Sequence, residues 1–330
     1  MDKIGILGAG AFGTAMATVA RRAGREVTIW AHEAEVVDAI NTHHENEAFL
    51  PDVKLDPDIR ATQNLDDVCD NDGVLIAVPT VHLRHTVSQA ASHWRSGVPA
   101  LICSKGVEQG SCMLMSEVVG DCLGDGAIIA SMGGPTFAKE IARDLPSAAS
   151  IACANRDMAE QLSQALASPH FRTYINQDMI GTQLGGAVKN VLAIACGIVT
   201  GKGLGDNARA TLITRGLAEI NTLGLVLGAR SHTLMGLSGL GDMTLTCNAM
   251  QSRNFSVGYR LGQGETLDQI MGGNRTTVAE GVPNAETVTA LARRNQVDMP
   301  ICLAVEAVLN VDADLDAIIH GLLSRPLVNE

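Results

Sequence analysis

The first half of the chain alternates short apolar runs with longer segments of helical periodicity. Continuous apolar runs predict strands that are covered on both faces, which is typical of parallel sheets. Such runs occupy residues 3–7, 26–30, 74–78, 100–103, 127–130, 148–153 and 172–175. Because helical segments separate most of these runs, the pattern predicts an α/β fold of the Rossmann type with a mainly parallel, doubly wound sheet.

After Asp178 the strand pattern stops and helical periodicity takes over. The predicted helix starts are Asn207, Asn284, Pro300 and Asp314. Both asparagines are predicted to act as N-caps, because their side chains can accept from free backbone N–H groups. The sequence therefore predicts two domains, an α/β domain over residues 1–180 and an all-helical domain over residues 181–330.

The second domain opens on a segment, residues 181–196, that is small or apolar at almost every position. It predicts a helix buried on most of its sides, yet Lys189 and Asn190 lie in its middle. A buried lysine is costly unless it is paired or neutralised. Gly185 and Gly186 share its helical face and leave room for a ligand or another backbone. A lysine that snorkels to the surface is the ordinary alternative, but the apolar flanks favour a functional lysine.

Gly8-Ala9-Gly10-Ala11-Phe12-Gly13 follows the first predicted strand directly and precedes a helix over residues 14–22. This placement of a Gly-x-Gly-x-x-Gly motif favours a dinucleotide site over an ordinary turn. Gly8 permits the tight turn, Gly10 lets the backbone approach a pyrophosphate, and Gly13 lets the helix pack on the strand. Free N–H groups at the helix start then face the phosphates.

The end of the second predicted strand decides how the adenosine ribose is recognised. Sites that prefer NAD place an acidic residue there, which bonds the ribose 2′-hydroxyl. This chain has His32 and Glu33. The imidazole suits a 2′-phosphate and the glutamate can reach a hydroxyl, so the sequence leaves NAD and NADP both open.

Polar residues stand where a ligand of such a sheet would bind, beyond the C-terminal ends of the strands. Lys105 and Gly134-Pro135-Thr136 follow predicted strands, although a solvated loop lysine is equally compatible with Lys105. The helical half adds Asp242 after Gly239-Leu240-Gly241, and the cluster Ser252-Arg253-Asn254. An arginine fork beside an amide and a hydroxyl suits a phosphate monoester, and a helix cap with a solvated arginine is the alternative.

Composition excludes several classes of function. With 46% hydrophobic residues and a net charge of -12, the chain is globular and has no general surface for nucleic acid or acidic membranes. The 8 cysteines show no zinc-like spacing and the histidines lack ligand partners, so no metal site is predicted. No signal peptide is predicted before the first strand, and Lys189 argues against a membrane span. We therefore expect a cytoplasmic protein.

Five blocks of sequence resemble the bacterial NAD(P)-dependent glycerol-3-phosphate dehydrogenases. They are residues 134–140, 185–191, 214–219, 239–242 and 251–254, in that order. The resemblance runs from the glycine motif to Glu280-Gly281 and implies a Rossmann domain, an all-helical C-terminal domain and a cytoplasmic homodimer. It also implies reversible hydride transfer between NAD(P)H and dihydroxyacetone phosphate, which supplies sn-glycerol 3-phosphate for phospholipid synthesis.

The resemblance implies roles at matching positions, with Lys189 as proton donor or acceptor and Asp242 and Lys105 beside it as catalytic partners. The residues implied to touch the substrate are Lys105, Gly134, Thr136, Lys189, Asp242, Ser252, Arg253 and Asn254. The residues implied to touch the cofactor, besides Gly8, Gly10 and Gly13, are Ala11, Phe12, His32, Lys105, Ala138, Arg253, Val278 and Glu280. Ala11 and Gly133 stand where serine is usual, so we expect a missing hydroxyl at the first position and a looser loop at the second.

The chemistry fits this resemblance. Hydride transfer to a ketone puts negative charge on the carbonyl oxygen, which a cationic lysine stabilises and protonates. Burial, Lys105 and Arg253 are predicted to lower the pKa of Lys189, and Asp242 to oppose them. Two other functions stay open. A related dehydrogenase acting on a β-hydroxy acid or ketopantoate would not need the 252–254 cluster, and a non-catalytic nucleotide sensor would not need Lys189 or Asp242.

Overall fold

The structure is a computed structural model that describes residues 1–272, 279–310 and 313–325. The strands are β1 Lys3–Leu7, β2 Glu26–Trp30, β3 Glu45–Asn46, β4 Leu50–Lys54, β5 Ile59–Thr62, β6 Gly73–Ile76, β7 Ala100–Ile102, β8 Ile129–Gly133, β9 Ser147–Cys153 and β10 Phe171–Asn176. The helices of the first half are α1 Ala11–Arg22, α2 Ala34–Asp38, α3 Leu65–Cys69, α4 Thr80–Ala90, α5 Met115–Leu123, α6 Ala138–Ala142 and α7 Arg156–Leu166. Those of the second half are α8 Met179–Gly201, α9 Asp206–Leu227, α10 Ser231–Leu234, α11 Asp242–Thr246, α12 Arg253–Gly262, α13 Leu267–Met271, α14 Gly281–Arg294, α15 Pro300–Asn310 and α16 Leu315–Leu323.

The main sheet has the strand order β10-β9-β8-β7-β6-β1-β2-β5, and the predicted α/β fold with a mainly parallel sheet is confirmed. The chain proceeds outward from β1 to β2 and β5 in one direction, and from β6 to β10 in the other. The order therefore reverses between β1 and β6, where Leu7 pairs with Ile76. In open α/β sheets a ligand binds in the crevice at this reversal, beyond the carboxyl ends of the strands.

One strand pair breaks the parallel pattern. β8 and β9 are antiparallel, with Ser131 opposite Ala152, because the connection between them holds only the short helix α6 and not a full crossover. The chain therefore turns back at the carboxyl edge of the sheet, and this turn carries Gly134, Pro135 and Thr136. β10 then pairs parallel to β9.

Three apolar clusters fill the protein. One lies on the face of the sheet covered by α1 and includes Ile4, Ile6 and Met16. A second lies under α4 and α5 on the opposite face. The third surrounds α8, whose residues from Gly181 to Val199 are all buried. This helix is long and apolar enough to cross a membrane, but 94% of its most apolar window is buried inside the protein.

Several predicted boundaries differ from the structure. Pro300 opens α15 and Asp314 caps α16, as predicted, but the two asparagine caps are wrong. Gly205 precedes α9, which begins one residue before Asn207, and α14 begins at Gly281 and carries Asn284 inside the helix. The polar, short strands β3, β4 and β5 were not predicted, because none of them is a continuous apolar run.

Candidate active site

The glycine motif forms the turn between β1 and α1. Gly8 has φ +109°, and a Cβ at Gly13 would stand 1.8 Å from the Gly8 carbonyl oxygen, so neither position accepts a side chain. A Cβ at Gly10 would meet nothing within 4 Å. The backbone at Gly10 therefore borders open space at the start of α1, which has no side-chain N-cap. The N–H groups of Ala11 and Phe12 are free to bind a pyrophosphate there.

Asn46 holds this turn and was not predicted. Its amide is 1% exposed and donates to the Ala9 carbonyl oxygen and to Thr14 Oγ1, both at 2.8 Å. The Thr14 hydroxyl in turn donates to the Ala9 carbonyl oxygen at 3.2 Å. These bonds fix the glycine turn from below, so the absent serine hydroxyl at Ala11 leaves the backbone geometry intact. A sequence signal was weak, because Asn46 lies in a two-residue strand.

The adenosine end of the crevice is marked by the end of β2. His32 and Glu33 are both exposed directly after that strand. The His32 ring lies against Trp30 at 6.2 Å between ring centroids, and Gln63 donates to the His32 carbonyl oxygen at 2.8 Å. The backbone of His32 is therefore fixed while its ring stays available to a ligand.

Three charged side chains that are far apart in sequence meet at the carboxyl edge of the sheet. Lys189 Nζ donates to Asp242 Oδ1 at 2.5 Å, and Lys105 Nζ donates to Asp242 Oδ2 at 2.7 Å. Asp242 is 1% exposed and Lys189 6% exposed. One carboxylate therefore holds two ammonium groups, and the three residues that the resemblance implies to be catalytic lie together.

Glycines bring the supporting elements close enough for this contact. A Cβ at Gly185 of α8 would stand 2.3 Å from the Ser238 carbonyl oxygen, in the π-helical turn Leu237–Gly241 that leads into Asp242. A Cβ at Gly186 would lie 3.2 Å from Lys105 Cγ, so the lysine stem crosses α8 at that point. The predicted close approach therefore occurs at both glycines. The backbone at residue 238 packs against Gly185, and the aliphatic part of the Lys105 side chain packs against Gly186.

Thr246 completes the environment of the Lys189 amine and was missed. Lys189 Nζ donates to Thr246 Oγ1 at 2.9 Å, and that hydroxyl donates to the Asp242 carbonyl oxygen at 2.7 Å. Thr246 lies four residues after Asp242 on α11, so a helix prediction there would have placed both side chains on one face. Asp242 and Thr246 together orient the Lys189 amine.

The pKa of Lys189 is lowered from 10.5 to about 8. Burial is the largest cause, Asp242 raises the pKa, and the cation of Lys105 lowers it. A lysine with this pKa exists in both protonation states near neutral pH, so it can give up a proton to an oxyanion and take one back.

The turn after β8 supplies a further acceptor. Lys105 Nζ donates to the Gly134 carbonyl oxygen at 3.2 Å, and Thr136 Oγ1 donates to the same oxygen at 3.2 Å. Gly133 belongs to β8, where a Cβ would stand 2.6 Å from Ser238 Oγ. The expectation of a looser loop at Gly133 is therefore wrong, because Ser238 fills the space that a side chain at residue 133 would take.

The three residues of the cluster 252–254 have different environments and contacts. Ser252 is the N-cap of α12 and its Oγ accepts from the Phe255 N–H at 3.3 Å. Asn254 is buried, donates to Asn190 Oδ1 at 2.9 Å and accepts from the Gly281 N–H at 2.9 Å. Arg253 is exposed in the first turn of α12. The cap alternative is thus correct for Ser252, and Arg253 is exposed, so a ligand can reach it.

The start of α14 brings an acid to the same region. Burial raises the pKa of Glu280, while Arg253, Lys105 and Lys189 oppose that shift. Glu280 is therefore close to all three cations. Ala138 is half-buried at the first position of α6. Val278 lies outside the described residues.

A cofactor of the dinucleotide type fits these features. The open space at Gly10 and the free N–H groups of α1 accommodate a pyrophosphate, and the reversal of strand order between β1 and β6 supplies the crevice. Among the described residues, no group of three His, Cys, Asp or Glu side chains could hold a metal ion. The fold and the site together define a dehydrogenase that uses a nicotinamide dinucleotide.

Comparison with known proteins identifies the family. The N-terminal model of NAD-dependent glycerol-3-phosphate dehydrogenase matches residues 3–159 and the C-terminal model matches residues 178–320. The chain therefore belongs to the NAD-dependent glycerol-3-phosphate dehydrogenase family, and it is an NAD(P)-dependent oxidoreductase.

Individual relatives agree along the whole chain. A glycerol-3-phosphate dehydrogenase [NAD(P)+] of Caulobacter vibrioides is 53% identical and covers 100% of this chain and 99% of its own length. The protein of the same name from Rhodospirillum rubrum is 54% identical, over 99% of this chain and 93% of its own length. The crystal structure of glycerol-3-phosphate dehydrogenase from Coxiella burnetii superposes with a TM-score of 0.93 at 38% identity, covering 98% of this chain and 99% of that one.

Proposed function

We propose that this protein catalyses reversible hydride transfer between NAD(P)H and dihydroxyacetone phosphate, giving sn-glycerol 3-phosphate for phospholipid synthesis. The observation that carries the proposal is the buried Lys189–Asp242–Lys105 arrangement at the edge of a dinucleotide-binding sheet. The bound cofactor supplies the hydride. The residues of this chain bind and orient the ketone and handle its proton.

Lys189 donates the proton in the reductive direction. As hydride reaches the ketone carbon, charge grows on the carbonyl oxygen, and the Lys189 ammonium stabilises that charge and delivers its proton. Asp242 and Thr246 aim the ammonium, because both bond it directly. Lys105 holds the other carboxylate oxygen and adds positive charge beside the substrate.

The phosphate end of the substrate is assigned to Arg253, which is exposed near Glu280 and the two lysines. An arginine binds a phosphate through two parallel hydrogen bonds. We assign Asn254 and Ser252 to the same end, and Gly134 and Thr136, in the turn after β8, to further contacts with the substrate. The cofactor is assigned to Gly8, Gly10, Ala11, Phe12, Gly13, His32, Lys105, Ala138, Arg253 and Glu280, with Val278 proposed on sequence alone.

We further propose a cytoplasmic homodimer whose dinucleotide-binding domain spans residues 1–180 and whose helical catalytic domain spans residues 181–330. The helix α8 supports this division, because it begins at Met179 and forms the axis of the third apolar cluster. Sedimentation of the purified protein measures the assembly state directly.

The direct test is loss of NADH or NADPH absorbance when dihydroxyacetone phosphate is added to purified protein. We expect oxidation with at least one of the two cofactors, and little with ketopantoate or a β-keto acid, because a carboxylate ketone leaves Arg253 without its phosphate. Faster turnover of either acid favours the related dehydrogenases. Binding of NADH without turnover of any ketone favours a nucleotide sensor.

A further inference from the structure

Asn284 is a buried polar residue of α14 that bonds to backbone of both domains beside the proposed catalytic lysines. It is 1% exposed. Its Nδ2 donates to the Lys105 carbonyl oxygen at 3.2 Å and to the Ala187 carbonyl oxygen at 3.5 Å. Lys105 follows β7 in the α/β domain, whereas Ala187 lies in α8, two residues before Lys189. One amide group thus joins the backbones that carry both lysines.

The chain is built closely around this amide. A Cβ at Gly106 would stand 2.7 Å from Asn284 Oδ1 and 2.7 Å from Thr80 Cγ2, so the residue after Lys105 passes directly over the asparagine. On the other side, the Lys105 stem crosses Gly186 and ends at Asp242. The backbone of Lys105 is therefore fixed at one end by Asn284, and its amine is fixed at the other end by Asp242 and Gly134.

The orientation of the amide follows from its partners. Two carbonyl oxygens face Nδ2, and a carbonyl oxygen only accepts hydrogen bonds, so the nitrogen must point at them. Asn284 Oδ1 is buried and has no hydrogen-bond partner among the described residues. A buried acceptor without a partner costs stability, which indicates that the side chain is present for its donor.

We propose that Asn284 is a positioning residue that holds the Lys105 backbone and thereby sets how Asp242 is shared between Lys105 and Lys189. The proposal rests on the roles proposed above for these three residues. Asn284 touches neither lysine amine, so its effect on the reaction passes through the Lys105 backbone. Displacements of about 1 Å at a reacting centre can reduce turnover on the order of 10²-fold.

The charges around Lys189 give the proposal a readout beyond activity. The groups that face it are Asp242, Lys105, Cys247 and Glu280. Lys105 lowers the pKa of Lys189 and Asp242 raises it. If Lys105 moves away, the repulsion weakens and Asp242 pairs more fully with Lys189. Both changes raise the pKa of Lys189, so the high-pH fall of kcat/KM for ketone reduction moves upward.

The test uses two substitutions and a matched control in the same helix. Asn284→Leu keeps the approximate shape and removes both the donor and the unpartnered acceptor. Asn284→Asp keeps the size and replaces the donor by an acceptor that repels both carbonyls. The control is Thr289→Val, because Thr289 is 0% exposed on α14 and its hydroxyl bonds within its own helix, to the Ala285 and Glu286 carbonyl oxygens.

For both Asn284 variants we expect kcat for dihydroxyacetone phosphate reduction to fall at least about 10-fold and the high-pH limb to move upward relative to Thr289→Val. Asn284→Asp also serves if Asn284→Leu does not fold. A folded variant with the kcat and limb of the control overturns the proposal. Lys105→Met separates the role of Asn284 from the proposed site itself. If Lys105→Met is as active as the wild type, the proposed site is wrong. If Lys105→Met is impaired while the Asn284 variants match the control, only the role of Asn284 is wrong.

Discussion

Replacing Asp242 by asparagine tests the charge arrangement most sharply, because Asp242 is the one group in the site that raises the pKa of Lys189 by both charge and hydrogen bonding. Burial and Lys105 lower that pKa, and the balance leaves it at about 8. Without the carboxylate both lowering effects remain. Lys189 then loses its proton at a lower pH, and the form that can protonate the ketone becomes scarce near neutrality.

The size of the effect follows from the geometry. Unit charges about 4 Å apart interact by about 4 kcal/mol at an effective dielectric constant near 20, and about 1.4 kcal/mol corresponds to one pH unit. The distance between Lys189 Nζ and Asp242 Oδ1 is 2.5 Å, so the carboxylate acts on the pKa of Lys189 at least as strongly as at 4 Å. We expect the high-pH limb of kcat/KM to move down from about 8 by about 1–3 pH units.

The assay is the pH dependence of kcat/KM for dihydroxyacetone phosphate, which reports groups of the free enzyme, with thermal melting in parallel. Removing one member of a buried ion pair costs about 3–5 kcal/mol, so the variant melts at a lower temperature and is assayed below that temperature. Asp178→Asn is the control. Asp178 is also buried, but it caps α8 by accepting from the Gly181 and Arg230 N–H groups, so the Asp178→Asn variant should lose stability and keep the high-pH limb. An unmoved limb in Asp242→Asn, or the same movement in Asp178→Asn, refutes the reasoning.

Three further predictions concern other parts of the protein. Gly10→Ala should fold normally, because its Cβ meets nothing within 4 Å, yet it should raise the KM for NAD(P)H. Gly13→Ala should lower the melting temperature, because its Cβ would stand 1.8 Å from a carbonyl oxygen. Arg253→Ala should raise the KM for dihydroxyacetone phosphate with kcat largely kept, since phosphate binding serves ground and transition states alike; an unchanged KM contradicts the phosphate assignment. Burial raises the pKa of Glu219 from 4.5 to about 7. The free energy of unfolding should therefore fall by up to about 3 kcal/mol as pH rises between these values, because the folded protein holds the proton longer. Glu219→Gln should remove this dependence on pH in thermal melts from about pH 4.5 to about pH 8.

The elements that the sequence predicted well are those whose burial is complete. The strands β6 and β7 and the helix α8 are apolar at nearly every position, which is typical of elements covered on all sides. By contrast, β4 and β5 carry charged residues and are stabilised by neighbours such as β2 and β3. Local pattern cannot reveal a strand whose stability comes from its partner.

The two asparagine caps failed for different reasons. Gly205 has φ +89° and starts α9 one residue early, which places Asn207 in the first turn. Asn284 has a cap-forming side chain, but the buried contact with the Lys105 carbonyl oxygen uses it inside a helix. Tertiary contacts decide such cases, and a single sequence does not contain them.

The sequence predicted which charged residues form the site, but not the hydrogen bonds between them. Lys189 stood out because a charge in an apolar helix demands a partner, and Lys105 because it follows a strand on the ligand edge. That one carboxylate serves both lysines depends on how the turn before Asp242 packs on Gly185. Asn46 and Asn284 are uncharged, and their roles appear only when the backbones they bond are brought together.

The measurement that tests the central claim most directly is turnover of Lys189→Ala beside NADH binding by the same preparation. We expect kcat for dihydroxyacetone phosphate reduction to fall on the order of 10²- to 10⁴-fold, while the Kd for NADH stays within a few-fold of the wild type. Lys202→Ala is the control, because Lys202 ends the same helix and pairs at the surface with Asp316. Wild-type turnover in Lys189→Ala would contradict the account, since no proton would then pass through the lysine around which the site is arranged.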